Sequence, residues 1–493
     1  MSARPLALLA LGLFACSSPA APAGPVGPAG PSGPPCSEGR FAASRFSVQC
    51  QRLVDAQGRV VFLHGVNARV NGVFDVTFDD GREALEPIPD FKAEDAARMR
   101  AIGFNALRLP INWSGLEPTE SGGFDEGYLD AVASAVATAK EAGLVVLIDF
   151  HQDAYSKEIG EDGAPLWAIA PPPAKLLGGP LTDLGARRTS AQVLKAFSTF
   201  FGPSSEGAAL RARFSAAVTH VAKRFAGEQA VIGIELYNEP LPDEDAELDT
   251  FHDGLITAIR AVDPGRIAFF EPNVTRNFFD HAPSASRAPW PGTAYSPHVY
   301  TYSFTGTDAQ RKAMTRAKLE PSNKNAASEA RSWKAPLVIT EFGYGPADIQ
   351  SDAYLAWQGE LQDQFQASAF FWVWKEESQG SWGLFDYDAT KDTWTERDHV
   401  RKALSRVVPE AVAGWPTSFG YDRSTKRFEL KFTGDPAITA PSRIFVPDPA
   451  DFADSFELQC DGKSIEAARD KATGIVEVAC GGAGSHTLVV TGH

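Results

Sequence analysis

Between about residues 58 and 405 the chain alternates short, almost wholly apolar runs with longer stretches in which apolar residues recur every three or four positions. The short runs predict eight strands, at 60–66, 106–109, 144–150, 231–237, 267–270, 294–297, 337–340 and 369–373. Periodic stretches between most of them, such as 93–102, 125–142, 210–225 and 248–262, predict amphipathic helices. Continuously apolar strands separated by helices imply a parallel sheet buried on both faces. Eight such units predict an α/β fold of the closed (β/α)8 TIM barrel type, with an open doubly wound sheet as the competing arrangement.

Beyond about residue 410 the period changes from helical to two. Arg427-Phe428-Glu429-Leu430-Lys431-Phe432, Ser442-Arg443-Ile444-Phe445-Val446 and Gly474-Ile475-Val476-Glu477-Val478 alternate polar and apolar residues between Gly, Pro and Asp turns. They predict a small C-terminal β-sandwich over 410–493, expected to pack against the barrel, with carbohydrate or lipid binding as the alternative role.

The N-terminus reads differently from the rest. Arg4 precedes an apolar run from Pro5 to Phe14 that ends in Ala15-Cys16, the layout of an export signal and too short to span a bilayer. Leu13-Phe14-Ala15-Cys16 resembles a bacterial lipobox, which implies diacylation of Cys16 and an exported, membrane-anchored lipoprotein. The alternative is an ordinary cleaved signal and a secreted protein. Residues 17–35 are almost entirely Ser, Pro, Ala and Gly and read as an extended tether, leaving 36–409 for the barrel domain.

Of the five cysteines, four remain once Cys16 is set aside. Cys36 and Cys50 flank one short segment and Cys460 and Cys480 another, so two local disulfides are the economical pairing among three connectivities, in keeping with an oxidising compartment. No cysteine or histidine set has zinc-ligand spacing, and neither metal nor cofactor is expected. A formal charge of -16 argues against a nucleic-acid partner, which needs clustered Lys and Arg. A monomer is expected.

In a barrel of this kind, chemistry gathers at the C-terminal ends of the strands. Glu239 follows Ile232-Gly233-Ile234-Glu235-Leu236-Tyr237-Asn238 where one apolar run stops, and Glu341 follows Leu337-Val338-Ile339-Thr340 where a later one stops. Two carboxylates at two strand ends are what glycosidic cleavage requires: one protonates the departing oxygen, and the other attacks or activates water. Arg108 can direct a cation at the nucleophile, His151, His298 and Tyr300 offer donors, and Trp374 can floor the site beneath a pyranose.

In this order, His64-Gly65-Val66-Asn67, Arg108, His151, Asn238-Glu239-Pro240, His298-Val299-Tyr300, Thr340-Glu341-Phe342-Gly343 and Trp374 resemble glycoside hydrolase family 5. The resemblance implies a retaining hydrolase with Glu239 as acid/base, Glu341 as nucleophile and Asn238 on the sugar 2-hydroxyl. Asp149-Phe150-His151-Gln152-Asp153-Ala154-Tyr155-Ser156 with Gly163-Ala164-Pro165-Leu166-Trp167-Ala168 is similar to the endoglycoceramidase branch. That branch implies a glycosphingolipid substrate and places His151 and Asp153 on hydroxyls of the sugar beside the scissile bond. Ala68-Arg69-Val70-Asn71 departs from the branch where a sugar-binding lysine is expected, so the sugar preference does not carry over.

The insertion after His151 places Leu166, Trp167 and Ile169 in a Pro- and Gly-rich loop, where they either line an aglycone site or pack on the barrel rim. The leading expectation is hydrolysis of the β-glycosidic bond between a glycan and ceramide. A family 5 β-glucosidase or endoglucanase acting on a steryl glucoside or β-glucan is the enzymatic rival. A noncatalytic carbohydrate-binding lipoprotein is the rival of another class.

Overall fold

The computed structural model describes residues 46–376 and 382–493. Cys16, Cys36, the signal and the tether lie outside the described residues.

Eight parallel strands form the barrel: β1 (His64–Asn67), β2 (Ala106–Ile111), β3 (Val145–Phe150), β4 (Val231–Glu235), β5 (Ile267–Phe270), β6 (Thr293–Tyr295, resumed at His298–Val299), β7 (Val338–Phe342) and β8 (Ser368–Phe371). Every residue of these strands is buried, which is why they read as almost wholly apolar runs. The sixth strand is interrupted at Ser296-Pro297. Its first part pairs with β5 and its second with β7, so the broken strand closes the ring. Inside, a Cβ built on Gly65 would lie 2.2 Å from the Phe370 ring, and one on Gly233 would lie 2.2 Å from the Phe269 ring. Glycine is what lets these aromatic rings fill the barrel axis.

The surrounding helices follow from local chemistry. Helix Glu126–Glu141 starts where the Asp125 carboxylate accepts the Tyr128 backbone N–H. It buries Leu129, Val132, Val136 and Ala139, spaced three or four apart, toward the sheet.

The second unit is a sandwich of two antiparallel sheets. One contains Gly414–Asp422, Arg427–Gly434, Phe456–Cys460, Lys463–Ser464 and Gly484–Gly492; the other contains Val408–Val412, Ser442–Phe445 and Ile475–Val478. The latter sheet also recruits Phe46–Gln49, Arg52–Asp55 and Val60–Val61 from the N-terminal side, all read from the sequence as part of the barrel domain. The single strand expected at 60–66 is therefore two strands. Val60–Val61 joins the sandwich and His64–Asn67 the barrel, because Phe62 turns its ring into the sandwich core against Phe419. The strand Val408–Val412 spans the expected boundary at 410. Cys460 and Cys480 are joined as a disulfide, and Cys50 is also disulfide-bonded, whereas its expected partner Cys36 lies outside the described residues.

Candidate active site

The barrel brings Glu239, Glu341 and His298 together at the C-terminal ends of β4, β7 and β6. One carboxylate oxygen from each Glu and a ring nitrogen of His298 all lie within 4.8 Å of one another. Arg108 on β2 organises this centre from below. Its Nη1 donates to Glu341 Oε1 at 2.6 Å and Asn67 Oδ1 at 3.0 Å, its Nη2 to Asn238 Oδ1 at 2.8 Å, and its Nε to Glu235 Oε2 at 2.5 Å. Tyr300 donates its hydroxyl to Glu341 Oε2 at 2.7 Å. Each Glu341 oxygen is thus held by a different donor, which fixes the carboxylate plane.

Glu239 is held differently. Asn277 Nδ2 donates to its Oε1 at 2.6 Å, and His298 Nδ1 lies 2.9 Å from the same oxygen. Both of these contacts fall on Oε1, and Oε2 has no hydrogen-bond partner among the described residues. The Glu239 backbone has φ 43°, in the left-handed region that is costly for a residue with a Cβ. Gln152 Nε2 clamps this conformation by donating to the carbonyls of Asn238 at 2.7 Å and Glu239 at 3.1 Å, while the Glu239 N–H donates to Glu271 Oε2 at 3.1 Å.

The electrostatics are dense. Burial alone would lower the His298 pKa, but Glu271, Glu341 and Glu239 together hold it well above the ordinary histidine value. Burial pushes Glu271 up to about 8, an effect that His298 partly offsets. His151 likewise resists burial because Asp149 sits 2.6 Å from its Nδ1, so its pKa also rises well above the ordinary value. This contact leaves Nε2 aimed toward Asp153, 3.8 Å away, and Asp153 is in turn paired with Arg188 at 2.8 Å. Arg69, in the 68–71 stretch where a sugar-binding lysine is expected, is buried and paired with Glu86 and Glu376.

The structure corrects Trp374. It is only 2% exposed, its indole N–H donates to Asp95 Oδ1 at 3.0 Å, and its ring packs on Phe385, so neither face is open to a sugar. Trp372, two residues earlier and partly exposed, stacks on His151 with ring centroids 5.5 Å apart and planes 10° from parallel. The aglycone-loop residues also separate. Ile169 is 3% exposed within the barrel core, and Trp167 is pinned by Glu117 and Trp113, its indole N–H donating to the Glu117 carbonyl at 3.0 Å. Leu166 alone is open, at 42%, in a cavity of about 820 Å³ that it shares with Phe74, Asp75 and Tyr128.

Asn277, Gln152 and Glu271 are functional neighbours that the sequence reading did not single out. Glu271 directly follows β5, and a strand-end position was its available signal; Asn277 lies six residues further on, where only the three-dimensional fold shows that it reaches Glu239.

Two carboxylates at two strand ends of a TIM barrel, each oriented by neutral or cationic donors, are the arrangement that hydrolysis of an O-glycosyl bond requires. Residues 81–378 match the model of the cellulase family, glycosyl hydrolase family 5, and residues 406–490 match the glycoside hydrolase family 5 C-terminal domain. The chain belongs to glycoside hydrolase family 5. It is 29% identical to endoglycoceramidase I of Rhodococcus hoagii, over 89% of this chain and 86% of that one. It is 27% identical to the endoglycoceramidase of Cyanea nozakii, over 80% of this chain and 81% of that one. A solved structure of endo-glycoceramidase II from Rhodococcus sp., described as a lactosyl-enzyme intermediate, superposes with a TM-score of 0.71 at 26% identity, covering 89% of this chain and 99% of that one.

Proposed function

We propose that this enzyme cleaves the β-glycosidic bond between a glycan and the ceramide of a glycosphingolipid, with retention of configuration. The observation that carries the mechanism is the approach of Glu239 and Glu341 oxygens to within 4.8 Å. Retaining enzymes hold their carboxyl groups about 5–5.5 Å apart, and inverting ones about 6.5–9.5 Å apart to admit a water. Glu239 Oε2 donates a proton to the glycosidic oxygen as Glu341 attacks the anomeric carbon, forming a glycosyl-enzyme and releasing the aglycone alcohol. Glu239, now a carboxylate, takes a proton from water, which attacks the same carbon and frees Glu341. Trp372 and His151 form the wall beside the sugar at the scissile bond, and Asn238, fixed by Arg108, faces its 2-hydroxyl.

The ceramide assignment is supported by similarity over most of the chain to proteins named for that activity, one of them seen with a lactosyl group on the enzyme. A panel of glycosphingolipids, with mass analysis of both products, is expected to give an intact glycan and free ceramide. Release of sugar from soluble β-glucan, with none from the glycolipids, overturns the assignment. NMR of the first-formed sugar is expected to show the β-anomer; an α-anomer removes Glu341 from the nucleophile role.

We also propose that Cys16 carries a lipid anchor and that residues 17–35 hold the barrel away from the membrane. The lipobox-like sequence supports this reading, and among the described residues no helix is long and apolar enough to cross a bilayer. Cys16→Ala should move the protein from the membrane to the soluble fraction while leaving turnover in detergent within about twofold of the unsubstituted enzyme. An unchanged membrane fraction removes Cys16 as the anchor.

A further inference from the structure

The short helix Arg276–Phe279, which follows β5, inverts the ordinary partition of a surface helix. Its polar residues point inward. Arg276 is 1% exposed, with Nε on Glu329 at 2.7 Å and Nη1 and Nη2 on the carbonyls of His298 at 2.8 Å and Ser322 at 3.0 Å. Asn277 is buried and donates to Glu239. Its aromatic residues point outward: Phe278 is 62% exposed and Phe279 is 63% exposed, the most open large apolar side chains among the described residues. Adjacent phenyl rings held in water by a buried, hydrogen-bonded Arg–Asn pair imply an apolar partner.

The position of the helix says which partner. Glu239 is the residue that protonates the leaving oxygen, so the leaving group departs past the side chains that touch it. Asn277 touches it directly and is the immediate neighbour of Phe278. An aromatic path also runs back from the pair to the nucleophile. Phe278 meets Phe304 edge-on at 6.0 Å, Phe304 meets Tyr300 at 5.3 Å, and Tyr300 donates to Glu341. By contrast, the loop at 154–181 is tied to the β1 side, where the N–H groups of Gly179 and Leu181 donate to the carbonyls of Glu83 and Leu85.

We propose that Phe278 and Phe279 form the lip that takes the hydrocarbon of the substrate's leaving group, with Asn277 tying that lip to the catalytic acid. This proposal rests on the glycolipid reading of the site and deepens it. Burying the exposed part of this pair of rings against hydrocarbon changes preference by about ten- to a hundredfold in all.

The test uses the full chain and a series of alkyl β-glycosides of increasing chain length, carrying whichever sugar head is released fastest from an aryl glycoside, each below its micellar concentration. In the unsubstituted enzyme kcat/KM is expected to rise with chain length. The double variant Phe278→Ser, Phe279→Ser should flatten that rise, losing about ten- to a hundredfold on the longest glycoside and no more than a few-fold on the aryl glycoside. Phe278→Leu with Phe279→Leu should restore most of the slope, which separates apolar contact from a structural role.

An unchanged slope in the Ser variant, or no slope in the unsubstituted enzyme, overturns the lip. So does a dimer that the Ser variant splits while the slope persists, because the rings then face a second copy of the chain. If the slope is present and lost as described but glycosylceramide is not cleaved, the lip stands and the ceramide assignment falls.

Discussion

Glu341→Gln is expected to abolish the glycosyl-enzyme and to lower kcat by about 10⁴-fold or more, since an amide of the same shape cannot attack the anomeric carbon. The substitution keeps a Tyr300 partner at the site and replaces one charge, so the fold should survive it. Glu239→Ala should behave differently. Loss of a general acid costs about 10²–10⁴-fold. That cost falls on the first step only when the leaving group needs a proton, as a ceramide alkoxide does. With an activated aryl glycoside the first step should proceed and the second should stall, because no base is left to activate water. Stopped-flow release of the aryl alcohol should therefore show a burst followed by a slow steady state, and mass spectrometry of the quenched protein should find the sugar on Glu341. Equal losses on aryl and natural substrates, with no burst, would return the two carboxylates to interchangeable roles.

The carboxylate pair was legible because each member ends an apolar run, and strand ends in a barrel share one face. The same rule located Arg108, His151, His298 and Tyr300, since each lies in or just past an apolar run. It could not choose between Trp372 and Trp374. Residues two apart on a strand point the same way, but the chain has already left β8 at Phe371, and past the strand that alternation no longer applies. Which ring reaches His151 is decided by the local turn of the backbone.

Asn277 escaped notice for a different reason. Its contact with Glu239 spans 38 residues, and nothing in the composition of a four-residue helix announces that its polar half is buried. The sandwich pairing of Val60 and Val61 with Val412 and Ala411, more than 340 residues later, is non-local in the same sense. Local periodicity finds strands, whereas their partners emerge only when the whole apolar surface is closed.

Arg108→Met is expected to reduce stability and activity together, because this one guanidinium serves most of the barrel's catalytic end. Besides Glu341 and Glu235 it faces Asp149 at 3.0 Å and Glu271 at 3.5 Å, all without access to solvent or nearly so. Removing one partner of a buried ion pair costs about 3–5 kcal/mol, since the remaining charge keeps its desolvation penalty. Here the loss leaves several carboxyls facing one another, and a fall in Tm of roughly 5–15 °C is expected for a domain of this size. The deficit should also depend on pH, with a definite sign. Burial already raises the Glu235 pKa and lifts Glu271 to about 8 in the presence of the cation. Without Arg108 both rise further. A carboxyl whose folded pKa lies above its unfolded value, about 4.3 for Glu, binds more protons when folded, so stability falls as pH rises between the two values. The Tm difference between the variant and the unsubstituted enzyme should therefore be smallest near pH 4 and widen as pH rises through the folded pKa of Glu235, with Glu271 adding to it only above about pH 8. Arg108→Lys should recover part of the stability, because it restores a charge, but little of the activity, because an ammonium cannot span Glu341, Asn67, Asn238 and Glu235 as the planar fork does. A Met variant that melts within a degree of the unsubstituted enzyme across this range would mean that the carboxyls share protons well enough to do without the cation.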